Sequence, residues 1–313
     1  MMRCFSIAAL AALAAGCGSS NVPVSVPVAG TSLVYPLLYT ADLGTSQVVV
    51  KSYPQGKNKF TISSSGSVNG LCVDLNGNVY VSDAHDNQIA EYAYGSTKQL
   101  RVLKDPGYYL GGCSVDLTSN DVAVATQPTN SNPGGIAIFR DGKGKAQNYT
   151  STATYFAKDC TYDSAGNVYL DGTSLNGSFF AAELPHKSKV FTSLTLDQSI
   201  VAAGGVQWDG QHDLLAIDDQ GVGYRGSIVY EFAIDGSTAT EQSSTPLGGS
   251  SDVVGFTLDL SGKGRIVGAN TGSTPSVMYW NYPKGGSRPS KTITGFSEPV
   301  SVVIAAEPSA ARR

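Results

Sequence analysis

The chain repeats itself, and the repeat limits its fold more than any other feature. Gly70-Leu-Cys-Val-Asp-Leu-Asn-Gly-Asn-Val-Tyr-Val-Ser-Asp83, with Asn87-Gln-Ile-Ala-Glu-Tyr92 after it, returns as Asp159-Cys-Thr-Tyr-Asp-Ser-Ala-Gly-Asn-Val-Tyr-Leu-Asp171. Weaker copies are Gly112–Asp116 with Asp121–Ala125, Gly205–Asp209 with Leu214–Asp218, and Gly255–Asp259 with Gly262 and Arg265–Gly268. The anchoring aspartates Asp74, Asp116, Asp163, Asp209 and Asp259 are spaced by 42, 47, 46 and 50 residues. A period of this size in a non-helical sequence is expected from a radial array of small sheets.

Each unit has the same physical reading. A short apolar strand runs into an Asp-x-x-Gly turn, where the carboxylate accepts nearby backbone amides and glycine takes a positive φ. A second strand such as Val79-Tyr80-Val81 follows at once, so the two form a hairpin. Third strands are expected at Ile89–Tyr92, Gly135–Phe139, Ser178–Leu184, Ile228–Phe232 and Val277–Tyr282. Fourth strands are expected at Gln99–Leu103, Lys189–Leu194 and Lys291–Thr294. No helical period of useful length interrupts them. Four strands per unit describe the blade of an all-β propeller. Leu37–Asp42 reads as a second strand without a first, and Pro299–Ile304 as the missing inner strand. Pairing them would close a six-bladed β-propeller through both chain ends and hide two sheet edges. A seven-bladed ring is the alternative, but no seventh unit is left over.

Gly70 to Tyr92 resembles an NHL repeat, and residues 35–305 resemble the NHL and SMP-30/gluconolactonase-like six-bladed propellers. The lactonases among them imply a metal-dependent hydrolase, with a divalent ion such as Ca²⁺ held at the channel mouth by Glu, Asn and Asp. In those enzymes the Glu precedes a Gly-Pro-x-Trp stretch. Here Leu33-Val-Tyr-Pro-Leu-Leu carries no acid, so no catalytic residue is transferred.

The N-terminus reads as an export signal. Arg3 precedes an apolar run from Cys4 to Ala15, too short to cross a bilayer. Leu13-Ala14-Ala15-Gly16-Cys17 resembles the lipobox of bacterial lipoproteins, which implies a lipid on Cys17. The expected organisation is a signal peptide at 1–16, a flexible tether at 17–32, the propeller at 33–308 and a disordered tail at 309–313. The expected location is the cell envelope, with the protein lipid-anchored to a membrane on its periplasmic or surface side. A net charge of −4 gives no basic footprint for nucleic acid.

Cys72, Cys113 and Cys160 remain in the mature chain. An odd count leaves either a Cys113–Cys160 bridge or three small buried side chains. His85, His186 and His212 lie in turns of different units, against a His-based metal site. Two polar sets are expected to ring one opening: Asn69, Asp159, Asp252 and Glu298 before inner strands, and Asp42, Asp83, Asp171, Asp218 and Asn270 after second strands. Oxygens from several blades would suit Ca²⁺; capping of local backbone groups is the other reading. Tyr108-Tyr109 and Tyr155-Phe156 are placed near the same face, as stacking surfaces or as core. With no complete catalytic set, the chain is expected to act as a binding or scaffolding module for an unknown protein or small-molecule ligand. A Ca-type lactonase is the alternative.

Overall fold

The computed structural model describes residues 36–308, apart from 130, 131, 152 and 221–225. The signal segment, Cys17, the tether and the 309–313 tail lie outside the described residues.

Among the described residues the fold is six small sheets, antiparallel apart from one short outer strand, around one axis. Blade 1 contains β1 (Leu37–Asp42), β2 (Gln47–Ser52) and β3 (Asn58–Ser63). Blade 2 contains β4 (Val68–Val73), β5 (Val79–Asp83), β6 (Gln88–Tyr92) and β7 (Gln99–Lys104). Blade 3 contains β8 (Tyr109–Val115), β9 (Val122–Gln127), β10 (Gly135–Phe139) and β11 (Gln147–Thr150). Blade 4 contains β12 (Thr154–Tyr162), β13 (Val168–Ser174), β14 (Phe179–Leu184) and β15 (Thr192–Ser193). Blade 5 contains β16 (Thr195–Leu196), β17 (Ala203–Asp209), β18 (Leu214–Asp219), β19 (Ser227–Asp235) and β20 (Thr238–Leu247). Blade 6 contains β21 (Val253–Asp259), β22 (Arg265–Asn270), β23 (Ser276–Asn281) and β24 (Lys291–Ile293). The last strand, β25 (Pro299–Ala305), returns to blade 1.

Closure follows the sequence expectation. β25 pairs antiparallel with β1, Leu38 opposite Ile304 and Thr40 opposite Val302, so both chain ends share one sheet. The repeated turns also form as read. Asp74 Oδ1 accepts the amides of Asn76 and Asn78, both at 2.8 Å, and Gly77 sits at φ 73°. Asp163 repeats this with Ala165 and Asn167. The outer strands depart more. The fourth strand of blade 4 shrinks to Thr192–Ser193, and blade 5 gains β16, which pairs parallel with β20.

Blades pack face to face through apolar clusters. Tyr169 of blade 4 stacks on Trp208 of blade 5 at 5.5 Å between centroids. Polar ties recur one step further in. Ser114, Thr161 and Gln207 each accept an inner-strand amide of the following blade: Tyr162, Trp208 and Leu258 respectively. Cys72 holds the corresponding place in blade 2, and there the tie is covalent. Cys72 is disulfide-bonded to Cys113, with Cα atoms 5.5 Å apart, while Cys160 is free and buried. This corrects the expected choice between a Cys113–Cys160 bridge and three unbonded thiols. Equivalent positions on successive blades point the same way round the ring, so Cys113 and Cys160 cannot face each other. Cys72 is offset by one residue, which turns its side chain toward the next blade. The Cys160 thiol points back at the Gly112 carbonyl, 3.7 Å away.

Candidate ligand site at the channel mouth

Every innermost strand carries a β-bulge at the same height. The register slips between Val68 and Gly70, Leu110 and Cys113, Ala157 and Asp159, Ala203 and Gly205, and Val253 and Gly255. In blade 1 Asp42 pairs with Pro299 but Ala41 with Ser301, so Val300 is the extra residue. A bulge frees one residue from the ladder and re-aims its side chain. The freed positions are therefore Asn69, Gly111, Lys158, Gly204, Val254 and Val300. Below them the inner strands nearly touch. A Cβ on Gly70 would lie 2.5 Å from the Gly111 carbonyl, and one on Gly255 2.5 Å from that of Val300. This close approach is why the repeat begins with glycine.

Five of the six freed residues line a cavity of about 530 Å³ at the channel mouth, to which all six innermost strands contribute. Its polar side chains include Asn69, Lys158, Asp159, Gln220, Asp252 and Glu298. Its apolar wall includes Phe156, Phe179 and Val201. The four polar residues expected before inner strands are thus brought together. Of the expected aromatics, Phe156 lines the cavity, Tyr109 and Tyr155 are exposed at the same end of the strands, and Tyr108 is in the core.

The second expected set divides in two. Asp42, Asp83 and Asn270 pair with the residue before the bulge and accept amides of the segment entering the inner strand. Asp42 takes Ser297 and Glu298; Asp83 takes Ser67, together with His85 and Asp86 of the turn that follows it; Asn270 takes Ser251 and Asp252. In blade 5 this capping falls to Asp219, which accepts Val201 and Ala202. Asp171 and Asp218 sit one residue earlier, opposite Asp159 and Gly205, where blade 2 has Ser82. Both are fully buried and lie outside the cavity lining. Asp171 accepts the amides of Asp159 and Gly205, each at 3.0 Å, joining blades 4 and 5. Among the described residues neither Asp218 oxygen has a hydrogen-bond partner.

Lys158 and Gln220 are the polar groups at the centre of the site that the sequence reading did not single out. Its Nζ donates to the Ala203 carbonyl at 2.7 Å and to Gln220 Oε1 at 3.3 Å. Gln220 Nε2 donates to Asp252 Oδ1 at 2.6 Å, and Thr271 Oγ1 to Asp252 Oδ2 at 3.2 Å. Burial lowers the Lys158 pKa, against the pull of Asp171, Asp218, Asp159 and Asp252. Burial, helped by the Asp171 charge, pushes the Asp159 carboxyl up to about 8. Burial lifts Asp171 to about 6, with Lys158 opposing, and holds Asp218 well above the usual carboxylate range. A signal for Lys158 existed. Aligned on the glycine of the repeat, it falls under Asn69.

This arrangement does not fit a divalent ion. Among the described residues no group of three His, Cys, Asp or Glu side chains is placed to hold one. The acids near the axis share their space with the Lys158 ammonium. The histidines are dispersed: His85 contacts Asp86, His186 the Gly166 carbonyl, and His212 the buried Asp209, at the opposite end of the blade from Asp218.

The fold and this site define a six-bladed β-propeller with a polar, partly aromatic channel mouth. The chain is similar in structure to a protein of unknown function from Bacteroides caccae, at TM-score 0.65 and 9% identity, covering 87% of this chain and 99% of that one. It is also similar to a chain of the nidogen/laminin complex, at TM-score 0.65 and 14% identity, covering 88% and 100%. No family model and no curated protein matches the chain.

Proposed function

We propose that the protein is an exported, lipid-anchored binding module of the cell envelope, related to the NHL/SMP-30-like propellers, whose ligand enters the channel mouth. The observation that carries this reading is the cavity of about 530 Å³ to which all six inner strands contribute. Its size suits a small molecule or an inserted side chain. The Cys72–Cys113 bond supports export, since such bonds persist mainly in oxidising compartments.

The test is a ligand screen by protein-observed NMR, using neutral, anionic and cationic fragments with Val254→Trp as a channel-blocked variant. Fragments that perturb Asn69, Gln220 and Glu298 in the wild type and not in the variant support the reading. Hits indifferent to the block, or no hits, sink it. Anchoring is tested by palmitate labelling of wild type and Cys17→Ala in the native host. Label lost in the variant supports it, and an unlabelled wild type ends it. Tight one-to-one Ca²⁺ binding abolished by Asp252→Asn would transfer the protein to the hydrolase reading.

A further inference from the structure

We propose that the channel mouth selects ligands carrying an ammonium group on an apolar body. Asp252 and Glu298 would hold the cation, and Phe156, Phe179 and Val201 the body. This inference rests on the binding-module reading and deepens it. It starts from the way the mouth is divided. Asp252 enters blade 6 and Glu298 enters the inner strand of blade 1, while Phe156 and Phe179 belong to blade 4, across the axis from blade 1. Blade 4 also supplies Lys158 and Asp159, so the walls differ chiefly in their aromatic rings, and the cavity lies between them.

The acidic wall is only partly offset. Among the described residues neither Asp252 nor Glu298 forms an ion pair. Asp252 is nevertheless oriented, held by neutral donors on Gln220 and Thr271. Lys158, the cation of the lining, is turned toward the Ala203 carbonyl and Gln220, and its field is shared among Asp171, Asp218, Asp159 and Asp252. One lysine faces several acids, so the side with Asp252 and Glu298 keeps an excess of negative charge, which disfavours anions and attracts cations.

The opposite wall favours the same ligand. Aromatic faces attract ammonium groups, most strongly where water is partly excluded. The apolar surface also continues outward: Tyr109, Tyr155, Leu175 and Val201 are all exposed at this end of blades 3–5. Exposed apolar side chains clustered on one rim mark a contact surface.

Calorimetry with benzylammonium, benzyl alcohol and benzoate tests the inference. The cation is expected to bind at least about tenfold more tightly than the alcohol and to weaken with added salt. Glu298→Gln and Asp252→Asn are each expected to remove about tenfold of that preference, with a much smaller change for benzyl alcohol. Phe156→Ala is expected to weaken benzylammonium and spare methylammonium. Glu298 is exposed, so its variant is a probe that leaves folding intact. Equal binding of cation and alcohol, tighter binding of benzoate, or neutral fragments alone occupying the channel would overturn the ammonium preference and leave the binding module standing. A channel that takes no fragment of any charge would remove both readings.

Discussion

Asp159 occupies a place that is glycine in blades 2, 3, 5 and 6, and its carboxylate lies where a side chain on Gly112 would be, only 1.8 Å from that Cβ position. Burial there favours the protonated form. The folded-state pKa of about 8 exceeds the ordinary 3.8, so the folded protein binds the extra proton between these values. The stability this confers is complete below about pH 4 and is lost as pH rises toward 8. Asp159→Asn keeps the shape and removes the titration. Its melting temperature is expected to fall less steeply than that of wild type from pH 4 to 8, with an advantage on the order of 1–2 kcal/mol above pH 8. Parallel slopes in calorimetric scans would contradict the assignment. Local chemistry of this kind was only partly legible beforehand. The Asp74 and Asp163 turns could be read because carboxylate, glycine and amides all lie within a few residues. The separation of Asp83 from Asp171 was present as a one-residue offset, Asp171 aligning with Ser82, but its consequence was not, since burial of that position depends on the bulge in the partner strand.

Strands on the inside of each blade were easier to find than those outside. β4, β12 and β21 bury apolar side chains on both faces, against two neighbouring blades, and read as short apolar runs. β20, Thr-Ala-Thr-Glu-Gln-Ser-Ser-Thr-Pro-Leu, is half solvated and offers little such contrast, so blade 5's outer edge was missed. Cysteine pairing was also out of reach, because it depends on which way round the ring each side chain points. The resulting bond links β4 to β8 across 41 residues. Cys72→Ser with Cys113→Ser is expected to cost about 2–4 kcal/mol by freeing that loop in the unfolded chain. Denaturant unfolding with and without reductant checks it. Reductant should destabilise wild type and leave the double variant unchanged, and a wild type indifferent to reduction would refute the staple.

At the scale of the molecule, the ring was the most legible feature because repetition reports it redundantly. Five imperfect copies and two complementary end fragments agree on six blades even where single copies are weak. Closure rests on β25, whose Val302 is buried between blades. Val302→Asp places an unpaired carboxylate there and is expected to cost upwards of about 3 kcal/mol, splitting a single unfolding transition into an early opening of blade 1 and later loss of the rest. Hydrogen exchange would locate the first opening, and uniform protection across the ring would count against the clasp. The kink shared by the inner strands separates what the tunnel offers from what keeps it standing. Asn69, Lys158, Val254 and Val300 stand off the ladder, whereas Gly111 and Gly204 are hemmed in by the Lys158 carbonyl and the Asp218 carboxylate. Four addresses around the axis are thus open to exchange and two are closed. If the mouth takes a ligand as proposed, a lineage of such chains can change it by rewriting those four while every blade stays superimposable.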